Sequence, residues 1–138
     1  MIAYIDSSVL LRIALGQPDR LAEWEQIHRP VTSGLTEVEC LRTLDRRRQQ
    51  GLLPEHVYPE RRGLVIQLLE RMERVDLTPG VLRRAADPFP TPLGTLDAIH
   101  LATAALWAQA TGERPVMATH DAQLAVAAAA IGLPVIGA

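Results

Sequence analysis

A chain of 138 residues that is 48% apolar is expected to form one domain with a real core, and no apolar run approaches the ~18 residues of a membrane helix. Net charge is −2, and all 14 basic residues are arginine, which excludes any activity that needs a catalytic or phosphate-binding lysine. The single cysteine, Cys40, excludes an internal disulfide and a cysteine-based zinc site; nothing calls for an oxidising compartment, so the cytoplasm is expected.

The chain opens on Ile2-Ala3-Tyr4-Ile5, which reads as a strand rather than a signal peptide because no basic segment or cleavage signal accompanies it. Leu21, Trp24 and Ile27 then predict a helix over 19–28, followed by a strand at 31–33. An arginine-rich helix is predicted over 37–50. The next helix ends near 74 and begins at 54 or 60; Pro54 suits a first turn, whereas Pro59 would kink a helix begun there. Leu64, Leu68 and Met72 form its apolar stripe, with Val65 and Leu69 beside them. A strand at 75–77, a short helix over 79–86 and a proline-rich loop over 87–92 follow. The helix over 96–111 is apolar on most faces and is expected to be buried. A strand at 116–118, an alanine-rich helix over 121–131 closed by Gly132, and a strand at 134–136 complete the chain. This alternation predicts a single α/β domain, 1–138, with a central parallel sheet and helices on both faces.

Four acidic residues stand at the starts of these elements. Asp6 ends the first strand, Glu39 lies one turn beyond 30–33, Asp97 opens the 96–111 helix, and Asp121 follows 115–119. In a parallel α/β sheet such places converge at the carboxyl edge of the strands. Four carboxylates gathered there repel one another unless a divalent cation neutralises them. Three of the four also have an ordinary structural explanation. Thr36 to Glu39 fits a capping box, while Thr95 and Thr119 could cap the helices of Asp97 and Asp121. The helix dipole favours first-turn acids by ~0.3–1 kcal/mol in any case. Asp6, at the end of a central strand, resists that explanation. Together the acids point to Mg²⁺ or Mn²⁺, which take oxygen ligands, and to water activated for attack on a phosphodiester.

Glu37 competes with Glu39, but on a helix the two point about 200° apart. Glu39 is the better choice, because Val38, Leu41 and Leu44 then pack beside it toward the core. His28, His56, His100 and His120 have no spacing that suggests a shared metal. Cys40 is expected to be a small buried apolar residue.

Four strings carry a family resemblance: Tyr4-Ile5-Asp6-Ser7-Ser8-Val9-Leu10, Thr36-Glu37-Val38-Glu39-Cys40-Leu41-Arg42, Leu96-Asp97-Ala98-Ile99-His100-Leu101-Ala102 and Ala118-Thr119-His120-Asp121. They resemble the motifs of PIN-domain ribonucleases, and more narrowly of VapC-type toxins of prokaryotic toxin–antitoxin pairs. The resemblance spans nearly the whole chain in the family's order. It implies a parallel sheet in the order 3-2-1-4-5, with a switch point between the first and fourth strands. It implies Asp6 and Asp97 as principal ligands of Mg²⁺, with Mn²⁺ able to substitute, and Glu39 and Asp121 completing the acidic site directly or through water. Ser8 and Thr119 would orient acids or waters, and His100 would pack or hydrogen-bond within its helix motif. The implied activity is that of an endoribonuclease. The implied partners are RNA, a cognate antitoxin lying across the active-site groove, and a second copy of the chain in a homodimer.

Setting the four site acids aside leaves 12 acids against 14 arginines, a mild positive balance compatible with a polyanion. Arg42 and Arg46, one turn apart on the Glu39 helix, are the candidates for gripping RNA phosphates or acidic groups of a partner. Leu10, Leu11, Ile13 and Leu15 look too many for one small core and are a candidate interface; Val65, Leu69 and Met72 are a second. Two other readings compete. One is a catalytically silent PIN-like module that only binds protein. The other is a phosphoaspartyl receiver or phosphatase with Asp6 as nucleophile, but this chain lacks the lysine and has Ser8 where the phosphatase pattern has a second aspartate. Nucleotide binding fails for want of G-x-G-x-x-G and of a P-loop lysine.

Overall fold

Short apolar strands separated by helices can pair in parallel only if each connection crosses over the sheet. The computed structural model, which describes residues 1–138, has that arrangement. Its strands are β1 (Ile2–Ile5), β2 (Arg29–Ser33), β3 (Glu73–Val75), β4 (Val116–Ala118) and β5 (Val135–Ile136). Every pairing is parallel and the order is β3-β2-β1-β4-β5, as the resemblance implied. The helices are α1 (Ser7–Ala14), α2 (Leu35–Gln49), α3 (Tyr58–Glu70), α4 (Pro79–Ala86), α5 (Thr95–Thr111) and α6 (Ala122–Ala130).

Side chains alternate across each strand, so the sheet divides the core in two. Ala3, Ile5 and Ala118 face one side, where Val9, Leu10, Leu44, Val65 and Leu69 of α1, α2 and α3 cover them. Tyr4, Val31 and Met117 face the other, under Leu101, Trp107, Leu124 and Ala127 of α5 and α6. β1 is central, and its two neighbours connect in opposite senses. The carboxyl ends of β1 and β4 therefore flank the switch point.

Several expectations need correction. The predicted helix over 19–28 is only a 3-10 turn at Trp24–Gln26. Asp19 has φ of 61°, outside the helical region, and Ile27 is already extended, although Leu21, Trp24 and Ile27 do pack on the core. In its place the chain forms α1 directly after β1. This helix absorbs Leu10, which is fully buried, and packs Leu11, Ile13 and Leu15 against the same core. Val65, Leu69 and Met72 are likewise buried. Val65, Leu69 and Met72 are therefore core rather than an exposed interface, whereas Leu11, Ile13 and Leu15 keep part of their surface; a helix not foreseen supplied the missing core. α3 begins at Tyr58 with Pro59 in its first turn, where proline costs no hydrogen bond, and Pro54 lies in the turn before it.

Candidate active site

The backbone delivers Asp6 to the pocket by an unusual use of a helix start. Asp6 occupies the N-cap of α1 with extended backbone, yet its side chain makes no cap hydrogen bond. Its carboxylate is held instead by Ser8, whose hydroxyl donates to Oδ2 at 2.6 Å, and by Thr119, whose hydroxyl donates to the same atom at 2.9 Å. Both hydroxyls are tied to the end of β4. Ser8 Oγ accepts from the His120 amide at 3.0 Å, and Thr119 Oγ1 from the Asp121 amide at 3.0 Å. Ser8 and Thr119 thus hold Asp6 across the β1–β4 switch point. Asp6 is only 3% exposed.

Asp97 and Asp121 arrive from helix starts as well. Asp97 lies in the first turn of α5. Burial, then the carboxylates of Asp121, Asp6 and Glu39, push its pKa up to about 6, against an opposing pull from His100. Asp97 therefore lies within electrostatic reach of all three other acids. Asp121 is itself the N-cap of α6, with Oδ1 accepting from the Leu124 amide at 2.8 Å. Of the capping roles considered from sequence, only this one exists, and Asp121 rather than Thr119 fills it. The α2 cap position is Gly34 and the α5 cap position is Gly94, neither with a side-chain cap bond. The Thr36 hydroxyl pairs with Thr32 at 2.8 Å, so there is no capping box.

Glu39 turns inward and meets Nε2 of His100, which also lies 3.6 Å from Asp6 Oδ1. Glu37 points away and pairs with Arg74 at 3.3 Å on the surface. The choice between the two glutamates thus agrees with the geometry, but one reason given for it does not. Leu44 is buried and Leu41 packs on the core, whereas Val38 is 56% exposed. His100 is the residue of this site that sequence reasoning left out. Its signal was available, since it stands three residues after Asp97 and so on the same helix face. It is fully buried, with Nδ1 2.8 Å from the Tyr4 hydroxyl. Burial alone opposes a charge on His100, but the bond to Glu39 and the charges of Asp6, Glu39 and Asp97 prevail and raise its pKa. His120 is engaged elsewhere, with Nδ1 2.7 Å from the Gly137 carbonyl. Cys40 is buried beside the site; burial, then Glu39 and Asp6, push its thiol up to about 12, which makes it inert.

Beside Glu39 opens a cleft of about 360 Å³ lined by Ser7, Leu35, Val38, Arg42, Arg46 and Leu96. Arg42 is paired with Asp45 at 2.8 Å, and Arg46 makes no ion pair. Asp97 and Asp121 do not line this cleft.

The donor chemistry suits a hard divalent cation: four carboxylates, no thiolate, and an Asp97 whose charge the others disfavour until something positive binds. As the side chains stand, no three His, Cys, Asp or Glu groups close to direct ligand distances of one ion.

With this geometry established, comparison with known proteins decides the family. The profile of the PIN domain family matches residues 3–130. The chain belongs to the PIN-domain family. It is 34% identical over 139 residues to Ribonuclease VapC35 of Mycobacterium tuberculosis, covering 96% of this chain and 94% of that protein. It is also 34% identical over 142 residues to Ribonuclease VapC46 of the same species, covering 96% and 95%. Within the PIN family it is thus a VapC-type protein. Among solved structures, PAE2754 of Pyrobaculum aerophilum superposes with a TM-score of 0.63 at 20% identity, covering 97% of this chain and 83% of that one. A chain of a toxin–antitoxin complex from Klebsiella pneumoniae gives 0.59 at 16% identity, covering 94% and 92%. These last two likenesses establish the fold alone.

Proposed function

We propose that this PIN domain is a divalent-cation-dependent endoribonuclease, the toxin of a toxin–antitoxin pair, acting in the cytoplasm. The observation that carries the reading is the acidic site itself in a chain 34% identical to a ribonuclease: Ser8 and Thr119 hold Asp6 at the β1–β4 switch point, Asp6 and Glu39 meet one edge of His100, and Asp97 and Asp121 lie within electrostatic reach. Asp6 and Asp97 would hold Mg²⁺ directly, with Glu39 and Asp121 joining them or their waters; Mn²⁺ would serve in its place. When bound, the ion supplies a Lewis acid for the phosphoryl oxygens and lowers the pKa of water. The chain's own contribution is orientation. Ser8 and Thr119 fix Asp6 through Oδ2, while Oδ1 faces the Ser7 hydroxyl at 3.5 Å and His100 Nε2 at 3.6 Å. Asp121 commits Oδ1 to its helix and keeps Oδ2 available. No helix is long and apolar enough to cross a membrane. A cognate antitoxin would cover the groove, and a homodimer stays part of this reading on the family resemblance alone. Cleavage of total RNA, with cut sites mapped, tests the proposal: EDTA should abolish it and Mg²⁺ or Mn²⁺ restore it. Equal cleavage in EDTA would overturn the cation-dependent mechanism.

An acidic pocket needs cations at its rim to hold a polyanion, and Arg46 is the free one in the cleft beside Glu39. Arg46→Ala is expected to weaken RNA binding and flatten its salt dependence by roughly 0.7 in the log–log slope for one lost contact to a single strand. Affinity for Mn²⁺ should not change. An unaltered salt slope and cleavage rate, together with weaker antitoxin binding, would assign Arg46 to the protein partner instead.

A further inference from the structure

Glu39 reaches the other acids from a different helix and through the longest carboxylate side chain of the four, so something must hold it in place. Its carboxylate makes one side-chain hydrogen bond, to His100 of α5. A carboxylate can only accept, so Nε2 carries the proton between them. The same Nε2 lies 3.6 Å from Asp6 Oδ1, which puts the imidazole edge between the two acids. On the ring's other side Nδ1 faces the Tyr4 hydroxyl at 2.8 Å, and the two rings meet edge-on with centroids 5.9 Å apart. Tyr4 and His100 are 1% and 0% exposed, so neither can exchange its partner for water. A ring fixed at both nitrogens cannot flip, and its Nε2 points at one spot.

We propose that His100 is a positioning residue that holds the Glu39 carboxylate beside Asp6 and thereby sets the affinity of the acidic site for a divalent cation, with Tyr4 fixing the ring. The inference rests on the cation-dependent reading above. It accounts for a buried histidine that packing alone does not require, because an apolar side chain would fill the same space without a partner for Glu39. Hydrogen bonds to ligating groups typically change metal affinity by about 10–100-fold when removed.

The test uses Mn²⁺ alone, titrated by calorimetry or electron paramagnetic resonance into the whole chain, four single variants (His100→Leu, His100→Gln, Tyr4→Phe and Glu39→Gln) and the double variant Glu39→Gln/His100→Leu. His100→Leu should weaken Mn²⁺ binding by about tenfold or more. His100→Gln, whose amide can still donate to Glu39, should recover most of that loss. In the Glu39→Gln background, His100→Leu should change nothing further. A folded His100→Leu that binds Mn²⁺ like the wild type, or that loses the same factor without the Glu39 carboxylate, overturns the proposal. Nitrogen-15 spectra of the imidazole give a second reading that needs no metal and no destabilising variant. Nε2 should be protonated, should shift on Glu39→Gln, and Nδ1 should shift on Tyr4→Phe. A ring protonated on Nδ1 alone would overturn the positioning role. Failure of the wild type to bind Mn²⁺ would overturn the cation-dependent reading and with it the affinity claim, while the ring spectra would still decide whether His100 holds Glu39.

Discussion

Replacing Asp6 with Asn is expected to slow RNA cleavage by at least about 10³-fold, since a metal site is worth several kcal/mol of transition-state stabilisation and each 1.4 kcal/mol is tenfold in rate. The fold should survive. Asn has the same shape, and its carbonyl oxygen can still accept from Ser8 and Thr119, which hold Asp6 at 2.6 and 2.9 Å. Its amide group then turns toward the pocket and presents hydrogens where Asp6 offers an anionic oxygen. The loss should therefore appear in cation binding and chemistry, with melting shifted by only a few degrees. Single-turnover cleavage at saturating Mg²⁺, paired with thermal melting, separates these. Activity within tenfold of wild type in a folded variant would remove Asp6 from the cation site.

What could be read from the sequence follows from how local each signal is. The strand–helix alternation and the parallel sheet were legible because short apolar runs and helical spacing are properties of a few neighbouring residues. Asp6 was legible for the same reason, as an acid at the end of a buried strand. The sheet order came from the family resemblance, and the expectation that the four acids converge came from the rule that strand ends of a parallel α/β sheet meet at one edge, not from periodicity. Other features depend on contacts distant in the chain. Leu10, Leu11, Ile13 and Leu15 looked surplus because the volume they fill is created by α2 and α3, some 20 to 60 residues on. Val38 looked like core, yet its helix turns it into the cleft opposite Leu96 of α5. His100 looked like a packing residue of its own helix, and only the sheet brings it against Tyr4 and Glu39. The Leu21, Trp24 and Ile27 spacing was real and packs as expected, but the backbone closes only one 3-10 turn there and is extended again at Ile27.

In EDTA, Asp97→Asn is expected to be more stable than the wild type at neutral pH, while losing activity. The sign follows from the direction of the shift. The folded chain holds the Asp97 carboxyl at about 6, above its ordinary 3.8, so the folded state keeps a proton that the unfolded chain gives up. The wild type should lose stability as pH rises from about 4 to about 6, and Asn, which has no proton to lose, should not. Two pH units correspond to about 3 kcal/mol in full. Asp97 is only half-buried, and solvent screening reduces that to roughly 1–2 kcal/mol. The helix dipole works the other way, favouring a first-turn carboxylate by ~0.3–1 kcal/mol. The balance leaves Asn ahead by about 1 kcal/mol, a rise of roughly 4 °C in Tm for a domain of this size. The two proteins should converge near pH 4. Mg²⁺ should reverse the order, because a ligand at a hundredfold its Kd stabilises the protein that binds it by about 2.7 kcal/mol. Melting curves between about pH 4 and pH 8, with EDTA and then with Mg²⁺, measure both effects. If Asp97→Asn melts lower than the wild type in EDTA at neutral pH, the helix dipole outweighs the repulsion, and Asp97 is a structural first-turn acid rather than one of four charges awaiting a cation.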